Sequence, residues 1–189
     1  MARGDSQSLG ELFDRHHRAV YNHCFRLTAS WAIAEDLASQ VFIETWRQRS
    51  RTELRNASAR PWLLTVATNL ARNELRALGR WRRAVGRLGG PETVPDPADD
   101  VAARIDDERG MTELNRALRR LPRAEREALA LCVWSEVSYA DAATALNRAE
   151  STVRSQVSRG RARLVHELGE SDEQSNPASG RIRRPIEEL

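Results

Sequence analysis

Ser138-Tyr-Ala-Asp-Ala-Ala-Thr-Ala-Leu-Asn-Arg-Ala-Glu-Ser-Thr-Val-Arg-Ser-Gln-Val157 is spaced as two short helices around a tight turn. A helix over 138–146 ends at Asn147, where such a turn often needs a positive φ, and Asn tolerates that better than most residues other than Gly. Ala142 and Ala143 are small enough to let two helices cross closely. Leu146, Val153 and Val157 then fill the crossing. Ser151 or Thr152 can cap a second helix over 151–168. That helix exposes Arg154, Ser155, Gln156, Arg159 and Arg161, residue types that read base edges and phosphates in a major groove. The same spacing also suits a plain helical bundle with an Arg-rich outer face.

Moving back along the chain, Pro122 separates helices over 101–120 and 123–134. Before them, Gly89-Gly-Pro-Glu-Thr-Val-Pro-Asp-Pro-Ala-Asp-Asp100 cannot hold a regular element and reads as a linker. Three helices precede it. Leu9, Leu12, Phe13, Val20, Tyr21, Cys24 and Phe25 form one stripe over 9–28. Ser30 caps a helix over 32–48, with Glu35 and Asp36 in its first turn. Pro61 opens a third over 61–78, ended by Gly79 and followed by Arg80, Arg82, Arg83 and Arg87. Residues 169–189 are polar and read as a disordered tail. The architecture is therefore all-α, with two small helical domains, 1–88 and 111–168, joined by a flexible acidic linker, 89–110.

The charge follows the same division. The net charge of +3 resolves into +7 for residues 1–88, −5 for 89–110, +3 for 111–168 and −2 for the tail. Every Lys or Arg is Arg, whose planar fork suits phosphate and guanine. With 189 residues, 40% hydrophobic and a mean hydropathy of −0.61, the chain has no run approaching a membrane span. It also lacks a secretion-signal pattern, and its two cysteines make no disulfide framework. A cytoplasmic protein without membrane insertion is expected.

Two stretches together resemble the bacterial sigma-70 family of RNA polymerase sigma factors, in its extracytoplasmic-function (ECF) group. One is Ala34-Glu-Asp-Leu-Ala-Ser-Gln-Val-Phe-Ile-Glu-Thr-Trp46 with Arg60-Pro-Trp-Leu-Leu-Thr-Val-Ala-Thr-Asn-Leu-Ala-Arg-Asn-Glu-Leu-Arg76, similar to region 2. The other is Leu121-Pro122, Val137-Ser-Tyr-Ala-Asp-Ala-Ala143 and Ser151-Thr-Val-Arg-Ser-Gln-Val-Ser-Arg-Gly-Arg-Ala-Arg-Leu164, similar to region 4. The resemblance implies a non-catalytic specificity subunit. It would bind core RNA polymerase at the largest-subunit clamp and at the flap, recognise −35 and −10 promoter elements, and help melt the −10 region. Glu35, Asp36, Ser39, Gln40 and Arg47 would face the polymerase. Asn69 would hold a flipped −10 base, with Arg72 and Arg76 on phosphates and loop 51–59 completing the pocket. Arg154, Ser155, Gln156, Arg159 and Arg161 would face the −35 element. The linker would run near the RNA exit path, and an anti-sigma factor is an expected partner.

The chain departs from the family pattern at Ser39-Gln40, where Gln-Glu is frequent, and at Glu136, where Gly is usual. Gln156 replaces a frequent Arg, and Gly160 a frequent Ala, which suggests altered promoter preference or a looser helix. A stand-alone helix-turn-helix regulator and an anti-sigma decoy are the competing readings. His16/His23 and His17/Cys24 share helix faces, which admits a zinc or redox site. An apolar-stripe cysteine that merely fills core is the simpler account. No cofactor, metal site or catalytic constellation is expected: the sequence holds no nucleophile–base arrangement, phosphate loop or paired-carboxylate motif.

Overall fold

The computed structural model describes residues 6–49, 58–87 and 108–175, and among these every regular element is a helix. The helices are α1 (Ser6–Thr28), α2 (Trp31–Gln48), α3 (Arg60–Arg87), α4 (Glu108–Arg120), α5 (Arg123–Cys132), α6 (Tyr139–Leu146) and α7 (Glu150–Ser175). Local chemistry sets several of their ends. Ser30 caps α2, its hydroxyl accepting from the Ile33 amide. Ser138 caps α6 by accepting from the Asp141 amide, and Asn147 closes that helix at φ 52°, ψ 54°. Ala29 adopts φ 52° to turn the chain from α1 into α2.

Some boundaries differ from the sequence expectation. Gly79 does not end α3, which continues to Arg87. A glycine stops a helix where the backbone turns left-handed, and Gly79 sits among Arg, Ala and Leu, all good helix formers. Helix α7 starts at Glu150, so Ser151 and Thr152 lie inside its first turn rather than capping it. It also reaches Ser175, so residues 169–175 of the expected tail are helical. Glu35 and Asp36 fall just beyond the first turn of α2, which carries no acidic residue. The expected linker lies outside the described residues, except that 108–110 belong to α4.

Two cores form. Val20, Cys24 and Phe25 of α1 pack with Leu37, Val41 and Phe42 of α2 and with Leu63, Ala67 and Ala71 of α3. Leu118, Leu129, Leu131, Leu146, Val153 and Val157 build the second core from α4 to α7. The cores are continuous at their edge: Ala130 joins the first, and Ala29 and Leu64 join the second. The α1–α3 unit and the α4–α7 unit are therefore docked on one another.

Polar contacts line that junction. Arg119 donates to the Ala29 carbonyl at 2.9 Å, and Arg26 to the Trp134 carbonyl at 3.3 Å. His23 is fully buried between Thr68 of α3 and Ser135 of the α5–α6 turn, 2.9 and 3.3 Å away. Burial pushes its pKa down to about 4, so it is neutral at pH 7.

Candidate nucleic-acid and polymerase interface

On α2 the apolar positions Ala34, Leu37, Ala38, Val41 and Phe42 turn inward. The 3.6-residue period then leaves Glu35, Asp36, Ser39, Gln40 and Arg47 together on the outer face, and all five are exposed. Ile43 stands among them, 52% exposed. An apolar side chain ringed by polar ones on a rigid helix is the usual anatomy of a protein-docking patch.

The second site is the outer side of α7. Arg154, Ser155, Arg159 and Arg161 are exposed there. Arg154 is pre-positioned: it pairs with Glu150 at 2.6 Å and lies over the Tyr139 ring, 4.3 Å from the centroid. Ser155 donates to the Ser151 carbonyl at 3.0 Å. Glu125 of α5 approaches Arg163 at 3.0 Å and Arg159 at 3.7 Å. Gln156 departs from expectation. It is buried, and its Oε1 accepts from Arg148 at 2.9 Å. Its position, three after Val153 and four before Gly160, puts it on the line that faces α5, a spacing legible in the sequence.

Gly160 also reads differently in three dimensions. A Cβ there would meet Leu129 Cδ1 at 2.9 Å and Glu125 Cβ at 3.2 Å. The glycine is a contact point between α7 and α5, not a loosened turn.

On α3, Asn69 and Arg76 are exposed, as a base- or phosphate-facing role requires. Arg72 is not free. Its Nε and Nη2 donate to the two carboxylate oxygens of Glu127 on α5, at 2.8 and 2.7 Å. Glu127 also accepts from Arg123 at 2.7 Å and from Arg148 at 3.1 Å. Burial alone would raise the Glu127 pKa, but hydrogen bonds from Arg72 and Arg123 outweigh it and hold the carboxyl below its ordinary value. Sequence reasoning missed this cluster because Arg72 and Glu127 are far apart in the chain and neither belongs to a motif that names the other. Loop residues 51–57, expected beside Asn69, lie outside the described residues.

Among the described residues no group of three or more His, Cys, Asp or Glu could hold a metal ion, and no helix is long and apolar enough to cross a membrane. Cys24 is buried in the first core, with its thiol pushed up to about 12 by burial. His17 stacks on Phe13, 4.5 Å between centroids.

The sigma-70 region 2 model matches residues 12–82, and the sigma-70 region 4 model matches residues 111–164. The RNA polymerase sigma factor NccH of Alcaligenes xylosoxydans xylosoxydans is 28% identical over 173 residues, covering 87% of this chain and 88% of its own. The ECF sigma factor SigK of Mycobacterium tuberculosis H37Rv is 26% identical over 161 residues, covering 83% of each. The structure is similar to the sigma factor RpoE of Bartonella quintana, solved in complex with the anti-sigma factor NepR. That match has a TM-score of 0.69 and 25% identity and covers 86% of this chain and 98% of the other. CnrH, solved with the cytosolic domain of CnrY, shares the fold with a TM-score of 0.65 and 18% identity, over 89% of this chain and 92% of that one. With both regions matched in order, and with the α2 face and the helix-turn-helix presented outward, the chain belongs to the sigma-70 family as an ECF RNA polymerase sigma factor, a non-catalytic subunit of transcription initiation.

Proposed function

We propose that this sigma factor docks on the clamp of the polymerase's largest subunit through Glu35, Asp36, Ser39, Gln40 and Arg47, with Ile43 at the centre of the patch. Its region 4 docks at the flap and directs the holoenzyme to a −35 element through Arg154, Ser155, Arg159 and Arg161. Gln156 acts from behind by orienting Arg148. Asn69 captures a flipped −10 base, since an amide both donates and accepts. Arg76 holds phosphate beside it, and Arg72 joins once Glu127 releases it. Opening duplex costs about 1.4 kcal/mol per step, which captured bases and phosphate contacts offset without any covalent chemistry. The domains divide as 1–88, 89–110, 111–168 and 169–189, with the acidic linker near the RNA exit path and the whole acting in the cytoplasm. By analogy with RpoE, solved in complex with an anti-sigma factor, a protein antagonist holds it inactive.

The observation that carries this reading is the pairing of a bare polar α2 face with an outward helix-turn-helix on one chain, in the order of regions 2 and 4. The test is co-elution with bacterial core RNA polymerase. The wild type is expected to co-elute and Asp36→Arg to lose most of that binding. A protein that ignores polymerase yet shifts duplex DNA would instead be a stand-alone regulator.

A further inference from the structure

Glu125 stands on α5 beneath the outward helix α7, and it is buried, 6% exposed. A buried carboxylate needs compensating charge. Among the described residues Arg159 and Arg163 of α7 supply it, with their Nε atoms 3.7 Å from Oε1 and 3.0 Å from Oε2. The pairing is incomplete: Oε2 is enclosed by protein, yet it accepts no well-aligned hydrogen bond among the described residues. Gly160 makes the arrangement possible. It lies between the two arginines in the chain, and a Cβ there would come within 3.2 Å of Glu125 Cβ and 2.9 Å of Leu129 Cδ1. The missing side chain is the gap that lets α5 approach closely enough for Glu125 to reach two residues of the outer face. Both arginine side chains nevertheless stay more than half exposed, at 60% and 59%.

We propose that Glu125 is a positioning residue for −35 recognition: it holds Arg159 and Arg163 from behind, as a pair in fixed register, so that both present their outer ends to DNA. The proposal rests on the reading of α7 as the −35 helix and deepens it. Each guanidinium meets Glu125 through Nε. Its two Nη groups form the far end of the planar fork, and that end offers the paired donors that guanine O6 and N7, or a phosphate, accept. Neither arginine has a partner other than Glu125 among the described residues, so the Nη ends are unclaimed. Loose arginines have to be ordered on binding, at a cost that a preformed pair largely avoids. Arg159 and Arg163 are four residues apart on one face, so a single carboxylate fixes their spacing along the helix. DNA cannot draw both fully away, because Glu125 would then stay buried without compensation. The effect belongs to specificity. A negative charge behind the helix lowers attraction to any DNA, while fixed geometry rewards only a site that matches it.

The test uses holoenzyme reconstituted with core polymerase and two duplex fragments. One is a promoter that the wild-type holoenzyme has selected from a randomised library, and the other is the same promoter with its −35 region shuffled. The readout is the ratio of the two affinities. Glu125→Gln keeps the side-chain shape and removes the charge. It is expected to lower the ratio roughly fivefold or more, the cost of ordering two freed arginines, while binding to the shuffled fragment holds or rises. A role confined to packing would lower the melting temperature and leave the ratio alone. Arg163→Lys keeps the positive charge without the fork, so it serves where Glu125→Gln folds poorly: the ratio falls and the salt slope of binding does not change. In an Arg159→Gln/Arg163→Gln background, adding Glu125→Gln changes the ratio no further, because nothing is left to position. Co-elution with polymerase stays at the wild-type level in every variant. An unchanged ratio in Glu125→Gln and Arg163→Lys would reduce the cluster to an ion pair between helices and overturn the proposal. A raised ratio would make Glu125 a restraint on the arginines and overturn it equally, as would loss of polymerase binding. If the wild type itself does not distinguish the two fragments, the −35 reading of α7 falls, and the role of Glu125 falls with it.

Discussion

Two glycines in this chain carry opposite predictions. Gly79 lies in α3 with open space where a Cβ would be. Gly79→Ala should therefore stabilise by about 0.5–1 kcal/mol through helix propensity alone. Gly160 is also helical, yet a Cβ there would press on Leu129 and Glu125. Gly160→Ala should destabilise by roughly 1–3 kcal/mol, because a packed core resists an added methyl more than propensity rewards it. Thermal melts of both variants check the pair, and two shifts of the same sign would contradict it. Glu136 offers a third case. It sits at φ 54°, in the region where a Cβ is strained. That accounts for the glycine usual in the family at this position. Glu136→Gly should be neutral to stabilising, by up to about 1 kcal/mol, as read from a urea midpoint. Sequence alone marked Glu136 and Gly160 as departures. It could not tell which one carries backbone strain and which one is a close approach, because that depends on where α5 lies.

At the scale of elements, caps and turns were legible because their causes are local. Ser30 and Asn147 act within a few residues of themselves, and the expected behaviour of each appears in the structure, whereas the cap at Ser138 was not read and the one expected at Ser151 or Thr152 is displaced by a helix that starts at Glu150. The extension of α3, the inward turn of Gln156 and the Arg72–Glu127 pair were not read from the sequence. The first is decided by propensity outweighing one glycine. The pair arises only once two helices meet. Helix α1 carries the clearest pH signature. The folded-state pKa of His23, about 4, lies below its ordinary 6.5. Folding therefore favours the neutral ring. That contribution is fully present above about pH 6.5 and is lost as pH falls toward 4, by on the order of 3 kcal/mol at most. Denaturant midpoints at pH 7.5 and 5 should show the drop. His23→Gln, which keeps hydrogen-bonding capacity without a titrating ring, should flatten it. Glu127 does not confound this window, because its lowered pKa delays its own loss to more acid conditions.

At the scale of the whole molecule, the docked arrangement treats the two sites proposed to face DNA differently. The α7 surface stays presented, while Arg72, proposed for the −10 site, is occupied by Glu127. Arg72→Ala should loosen the junction more than it unfolds either half, because Glu127 keeps Arg123 and Arg148 as partners. A charged, half-buried hydrogen-bonded pair of this kind contributes about 1.5–3 kcal/mol. Small-angle scattering should report a larger radius of gyration for the variant at unchanged helix content. An unchanged radius would mean that the apolar edge formed by Ala29, Leu64 and Ala130 holds the halves together alone. The division into two helical units was legible in composition and charge. Their embrace was not, since no local pattern encodes it.

The junction is also intramolecular, since residues 88–107 connect its two sides covalently. Dilution cannot part them, and accumulation of the protein in a cell cannot drive them together. The parted fraction is a fixed property of each molecule, moved only by a ligand that prefers one form, about tenfold for every 1.4 kcal/mol of preference. Making more copies raises the number of parted molecules in proportion, with no threshold, and any sharpness in that number must come from what binds them.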